Sequence, residues 1–343
     1  MKAVVLAGVG DLRLEDVADP GIEGPRDAIV RVSATGLCGA DLFPFHGHTP
    51  GFEDGTVLGH EFVGVVEEVG SGVETISPGD RVVSTSTISC GDCAPCRAGR
   101  ASQCLERALF GYSGVYQRLD GGQAERVRVP FADRGLFRIP DAVSDEAAVF
   151  VADMLPTGYS AVRRADVEQG DVIAVLGCGT VGLMAILFAR RVARRVIAVD
   201  GIEARRDLAA GMGAEAVSPD EAAEVVADAT DGLGADAVIE AAGSAPALTA
   251  AVQLVRGLGT LSVVGAHFEP DFPLDLGRMF EREMTLRVTW GHGFSDRERI
   301  LAMLADGVID PLPAVTHRFP LAEAQEAYRV FDAREAVKVL LKP

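Results

Sequence analysis

The distribution of apolar and polar positions divides the chain into two textures. Over residues 1–150 the apolar residues fall in short alternating runs, for example 28–33, 62–69 and 126–129, separated by Pro-Gly and Gly-Asp turns. Period-two alternation between turn signals predicts half-buried β-strands, so this part reads as an all-β lobe that opens with a strand over 3–8. From about Asp171 short continuous apolar segments take over, at 172–176, 195–199, near Ala216, and at 237–240, 260–264 and 285–290. They alternate with Ala-rich helical segments at 181–190, 203–211, 220–229 and 247–256. Strands joined by helices run parallel, and helices on both faces of the sheet explain the unbroken apolar character of the strands. The expected fold is α/β with a doubly wound sheet. Two amphipathic helices, 297–305 and 321–332, and a last strand, 336–341, are predicted to close back onto the β lobe.

Composition narrows the function. The 343 residues suggest two domains. Fifty acidic residues against 32 basic ones give a net charge of −18, which repels phosphate backbones and anionic lipid and so argues against nucleic acid or membrane as a partner. A small-molecule substrate is expected. The only apolar stretch near the N-terminus, 3–8, is too short for a signal or a membrane span, and the expected location is the cytoplasm.

Candidate chemistry begins at Gly177-Cys178-Gly179-Thr180-Val181-Gly182, a G-x-G-x-x-G motif between a predicted strand and a predicted helix. Its first glycine permits a tight turn, its second lets the backbone approach a diphosphate, and its third lets helix and strand pack closely. Asp200 ends the next strand about 20 residues on, where a carboxylate accepts hydrogen bonds from an adenosine ribose and repels a 2′-phosphate. NAD(H) is therefore preferred, while Arg205 and Arg206 leave NADP(H) open. Cys178 reads as a tolerated small residue.

Cys90, Cys93, Cys96 and Cys104 form C-x2-C-x2-C-x7-C, a spacing at which four thiolates can enclose a structural zinc ion. The competing arrangement, two disulfides, requires an oxidising compartment. Cys38 and His60, each beside glycines, supply two further ligand types; with a carboxylate they would make a three-ligand catalytic zinc shell with an open position, although a lone Cys is more often a small buried hydrophobe and a lone His an ordinary surface or core residue.

Taken together, G-L-C-G-A-D-L at 36–42, G-H-E-F-V-G-V-V-E-E-V-G at 59–70, P-G-D-R-V at 78–82, the four cysteines, D-M-L-P-T-G-Y at 153–159 and the glycine loop resemble the zinc-dependent medium-chain alcohol dehydrogenases. The resemblance runs the length of the chain. It implies a GroES-like catalytic domain, 1–152 with 298–343, and a Rossmann domain, 153–297. It also implies two zinc ions, the catalytic one on Cys38, His60 and Asp153. Glu61 becomes an exchangeable ligand, Asp41 the carboxylate that orients His60, Thr157 a residue facing the nicotinamide, and Lys338 a ligand of the cofactor diphosphate. A homodimer or homotetramer is expected.

The sequence departs from the family at two positions. A Ser or Thr two residues after the ligand cysteine and a His five after it usually relay the alcohol proton; here they are Ala40 and Phe43, and neither side chain can move a proton. Water, Glu61, His46 or His48 remain as carriers. Interconversion of a secondary alcohol or polyol with its carbonyl compound is the leading activity. The alternatives are reduction of conjugated C=C bonds and cofactor binding without catalysis. Trp290, Phe43, Phe45 and Tyr112 are candidates for an apolar pocket or for core, and His267, His292 and His317 read as ordinary residues.

Overall fold

The computed structural model describes residues 1–267, 274–291 and 294–343. They form two compact units, Met1–Asp153 with Gly293–Val308 and Val315–Pro343, and Met154–His292 with Ile309–Ala314. Asp153 thus falls with the first unit, because it caps a helix of that unit, and 309–314 falls with the second.

The first unit is built on a sheet in the spatial order Val315–Pro320, Lys338–Lys342, Ala28–Gly36, Glu61–Val69, Arg81–Ser84 and Leu136–Arg138, with Arg126–Val129 also paired to Ala28–Gly36. A smaller sheet joins Asp11–Asp16, Lys2–Gly8 and Thr56–Val57. Inward-facing residues of the main sheet, among them Val30, Phe62, Val82 and Val129, make the core with Phe110, whose ring meets Phe62 edge to face at 5.1 Å. Two registers position the chemistry. Ala28–Gly36 and Glu61–Val69 run antiparallel with Gly36 opposite Glu61, and Lys338–Lys342 pairs on the other side with Leu340 opposite Gly36. The segment leaving Gly36 and the one entering Glu61 therefore lie at the same end of the sheet.

The expectation of an all-β lobe is corrected at its end, where Asp145–Ala152 is a helix. Ser144 caps it by accepting the Ala147 N–H at 3.2 Å, and every residue from Ala147 to Ala152 is buried. A helix apolar on all sides has no helical periodicity to read. It breaks at Asp153 (φ −146°, ψ −56°), and a second helix, Met154–Arg164, restarts with Pro156 in its first turn, where a missing N–H costs nothing.

The second unit is a six-stranded sheet, all parallel, in the order Glu215–Val217, Arg195–Val199, Val172–Leu176, Ala235–Glu240, Val255–Val263 and Thr285–Val288. Numbered along the chain this is 3-2-1-4-5-6, the dinucleotide-binding order, which reverses at the strand that precedes the glycine loop. The strands depart from expectation mainly at their ends: the fifth begins at Val255, where a helix was expected to continue to Arg256. Among the described residues no helix is long and apolar enough to cross a membrane.

Candidate active site and metal centres

Cys38 follows the strand Ala28–Gly36 and caps the short turn Gly39–Asp41. The cap is reciprocal, since Asp41 Oδ2 accepts the Cys38 N–H at 2.9 Å and Cys38 Sγ accepts the Ala40 N–H at 3.5 Å. His60 precedes the neighbouring strand after Gly59, whose φ of +99° only glycine adopts readily. A Cβ on Gly59 would also stand 2.5 Å from the Gln123 side chain. Cys38, His60, Glu61 and Asp153 bring one thiol, one imidazole and two carboxylates within 4.8 Å of one another, all inside the first unit.

The electrostatics of this cluster call for a cation. His60 is 1% exposed, lies 3.1 Å from Asp41 by Nδ1 and 3.6 Å from Asp153 by Nε2, and neither nitrogen completes an aligned hydrogen bond. Burial disfavours the imidazolium, but Asp41, Cys38 and Asp153 outweigh it and hold the imidazole well above its ordinary range. Burial raises the Cys38 thiol, against the pull of His60. A partly buried donor set of mixed thiol, imidazole and carboxylate suits a zinc ion.

Lys338 has a partner that the sequence does not announce. Its ammonium is enclosed, bonded to Glu61 Oε2 and to the Leu37 carbonyl at 2.9 Å, and both it and Glu61 have no exposed surface. A Cβ on Gly36 would strike this pair at 2.7–2.8 Å. Lys338 therefore neutralises the carboxylate beside the cluster. Burial raises the Glu61 carboxyl while Lys338 opposes that shift, and Oε1 has no hydrogen-bond partner.

Of the proton-relay candidates, His46 bonds Asp332 at 2.9 Å on the surface. The Tyr112 hydroxyl bonds the Ala40 carbonyl, which places this ring against the Cys38 turn. Phe45 packs on Tyr328 within the core, ring centroids 5.8 Å apart. His292 lies outside the described residues. Sequence reasoning missed Arg297, which is 2% exposed and donates to the Ala152 carbonyl at 3.0 Å, next to Asp153; no spacing rule signals it.

The second cluster gathers the sulfurs of Cys90, Cys93, Cys96 and Cys104 within 4.8 Å. All four are free thiols, and the Cys90–Cys104 and Cys93–Cys104 sulfur separations are 3.5 and 3.9 Å. A disulfide needs ~2.05 Å, whereas ligands ~2.3 Å from a tetrahedral zinc stand about 3.8 Å apart. Backbone N–H groups of Cys90, Cys93 and Glu106 point at these sulfurs. Those of Leu105 and Cys96 bring the Cys93 thiol down to about 6.

In the second unit Gly177 has φ +93°, and a Cβ there would meet the Ala242 backbone at 2.7 Å. A Cβ on Gly182 would meet the Gly177 carbonyl at 1.8 Å, the close helix–strand packing expected of the third glycine. Gly179 faces open space and caps the helix Thr180–Ala189, which has no side-chain cap, so the start of this helix presents backbone N–H groups of the kind that receive an anion. Asp200 accepts the Cys178 N–H and the Ile202 N–H, both at 2.8 Å, and so braces the glycine loop as well as marking the strand end. Arg205 stands 4.0 Å from Asp200, and Arg206 bonds its carbonyl at 2.9 Å. Thr157 is buried, its Oγ1 close against Gly291. His267, which reads from sequence as an ordinary residue, bonds Glu240 at 2.8 Å, and Glu240 also accepts the Ala242 and Gly243 N–H groups.

A β-rich unit with two cysteine-containing ligand sets, joined to a six-stranded dinucleotide-binding sheet, defines an oxidoreductase of the zinc-binding dehydrogenase class. Residues 24–141 match the family model described as alcohol dehydrogenase GroES-like domain, and residues 180–306 match that of zinc-binding dehydrogenase. The uncharacterized zinc-type alcohol dehydrogenase-like protein AdhB of Bacillus subtilis is 36% identical over 100% of both chains. A sorbitol dehydrogenase of Halalkalibacterium halodurans is 31% identical over 100% of this chain and 99% of its own. The solved alcohol dehydrogenase TADH from Thermus sp. ATN1 superposes with a TM-score of 0.95 at 38% identity, covering 100% of this chain and 99% of that one. The chain belongs to the zinc-dependent medium-chain alcohol dehydrogenase family and is an enzyme of that family.

Proposed function

We propose that this enzyme interconverts a secondary alcohol or polyol and its carbonyl compound with NAD(H), using one zinc held by Cys38, His60 and Asp153 and a second, structural zinc held by Cys90, Cys93, Cys96 and Cys104. The observation that carries the reading is the convergence of Cys38 and Asp153 on the buried His60 imidazole, whose two nitrogens lack aligned partners. The sorbitol dehydrogenase relative supports the polyol end of the substrate range. When bound, zinc supplies Lewis acidity toward a substrate oxygen, and the dinucleotide supplies or accepts hydride.

The chain's own residues do the remaining work. Asp41 keeps the His60 proton on Nδ1 and so leaves Nε2 as an electron-pair donor. Lys338 balances Glu61, which otherwise adds a third negative charge beside Cys38 and Asp153. The glycine loop, with the space at Gly179, and the helix start that follows it receive the diphosphate, Asp200 takes the ribose hydroxyls with its remaining lone pairs, and Thr157 faces the nicotinamide. Ala40 and Phe43 give the substrate proton no route, so it leaves through water or Glu61. The assembly is read as a homodimer or homotetramer, as the family resemblance implies.

The test is metal analysis joined to an assay panel of ketones, aldehydes and enones with NADH and NADPH. Two zinc ions per chain, one of them lost in Cys38→Ala, and turnover of ketones with NADH are expected. A single zinc that survives Cys38→Ala removes the catalytic site, and turnover restricted to enones replaces the carbonyl chemistry.

A further inference from the structure

Asp41 is reached from behind by a buried polar chain that the reaction does not account for. Tyr328, 1% exposed on the helix Ala324–Asp332, donates its hydroxyl to Gln123 Oε1 at 2.9 Å. Gln123, with no exposed surface, reaches Asp41 Oδ2 with Nε2 at 3.5 Å. Asp41 Oδ2 also accepts the Cys38 N–H, and Asp41 Oδ1 faces His60 Nδ1. All five residues belong to the first unit.

The chemistry of the groups gives this chain one polarity. An ionised carboxylate only accepts, so the Gln123 amide must present its NH2 to Asp41 and its oxygen to Tyr328. The hydroxyl of Tyr328 then has to donate. At the far end Asp41 Oδ1 stands 3.1 Å from His60 Nδ1, a placement that favours the proton on Nδ1 and the lone pair on Nε2, the nitrogen facing Asp153. The backbone holds Gln123 in place as firmly: its N–H bonds the Leu58 carbonyl at 2.9 Å and its carbonyl takes the Val4 N–H at 2.8 Å, while glycine at 59, 121 and 122 lets the strands approach.

We propose that Gln123 and Tyr328 are positioning residues that fix Asp41, and through it the tautomer and orientation of His60 as a metal ligand. The inference rests on the zinc reading above. Removing an outer hydrogen-bond partner of a ligating histidine lowers metal affinity by ~10–100-fold.

The experiment follows zinc release to a colorimetric chelator from the whole protein, wild type against Gln123→Met and Tyr328→Phe, with melting temperatures recorded alongside. Cys38→Ser identifies which zinc belongs to the His60 site, and the zinc of the four-cysteine cluster serves as the internal control. Gln123→Met is expected to weaken the Cys38-dependent zinc about 10-fold, Tyr328→Phe to weaken it less, and neither to move the control zinc. Tyr328→Phe removes one oxygen from an otherwise unchanged ring, so it decides the matter if Gln123→Met does not fold. Unchanged release of the Cys38-dependent zinc, or equal acceleration of both zincs with a lowered melting temperature, overturns the proposal and leaves the chain a role in packing alone. A wild type with no Cys38-dependent zinc instead refutes the zinc reading, and this inference falls with it.

Discussion

Replacing Lys338 by Met tests how much the enzyme depends on charge balance beside the proposed catalytic zinc. The ammonium and the Glu61 carboxylate have no exposed surface, and the ammonium also bonds the Leu37 carbonyl and lies 5.7 Å above the Phe150 ring. Methionine fills most of the lysine stem, so the loss is electrostatic: an uncompensated carboxylate remains in the sheet interior. Breaking a buried pair from one side costs about 3–5 kcal/mol. At ~2–4 °C per kcal/mol for a unit of this size, that corresponds to a fall of about 10 °C in Tm. Glu61→Gln added to Lys338→Met removes the orphan charge, and the double variant should regain more than half of the loss, a coupling of about 2 kcal/mol in a mutant cycle. Zinc beside Glu61 offers positive charge of its own, so the deficit should be smaller at saturating zinc than when metal is limiting. Denaturant unfolding and thermal melts of the four proteins supply the measurement. A single variant within 2 °C of wild type, or a double variant no better than the single, would show that Lys338 and Glu61 are not an energetic pair.

Two further outcomes follow from the geometry. Cys93→Ser should release one zinc of two and lower Tm sharply, because a four-thiolate site contributes folding energy directly; an unchanged melt in metal-replete buffer would contradict a structural role for the cluster. Asp200→Ser should narrow the ratio of kcat/KM for NADH over NADPH and also lower affinity for both, since the Asp200 carboxylate holds the Cys178 N–H of the glycine loop; equal efficiency with both cofactors in wild type would remove the basis for an NAD(H) preference.

The doubly wound sheet was legible because its central strands are buried on both faces and so read as continuous apolar segments between helices, with Gly177 and Gly182 of the loop answering to steric demands at Ala242 and Gly177. The helix Asp145–Ala152 was not, because its burial on every side erases the periodicity by which a helix is recognised. The strand Val315–Pro320 was also missed. It pairs in parallel with Lys338–Lys342, a partner on the far side of a helix, so no hairpin turn announces it.

The site divides along the same line, between what local spacing encodes and what only the sheet brings together. The four cysteines fall within fifteen positions, so a linear reading finds them, whereas Asp41 came only through the family resemblance and its cap on Cys38 went unread. Lys338 is a different case. Its approach to Glu61 depends on two registers, Gly36 opposite Glu61 and Leu340 opposite Gly36, and one residue of slip in either would send the ammonium to the other face. The family resemblance pointed to the residue and gave no hint of Glu61, because a lysine at a strand end carries no mark of the carboxylate 277 positions away that it bonds. Gln123 and Tyr328 show the same limit more strongly. In sequence they are a polar residue after two glycines and one aromatic on an amphipathic helix, and only the folded first unit joins them into a chain that ends at His60. What a sequence leaves unread in such a site is the set of groups that decide which nitrogen of the histidine carries the proton, and those groups are the ones the zinc-release experiment perturbs.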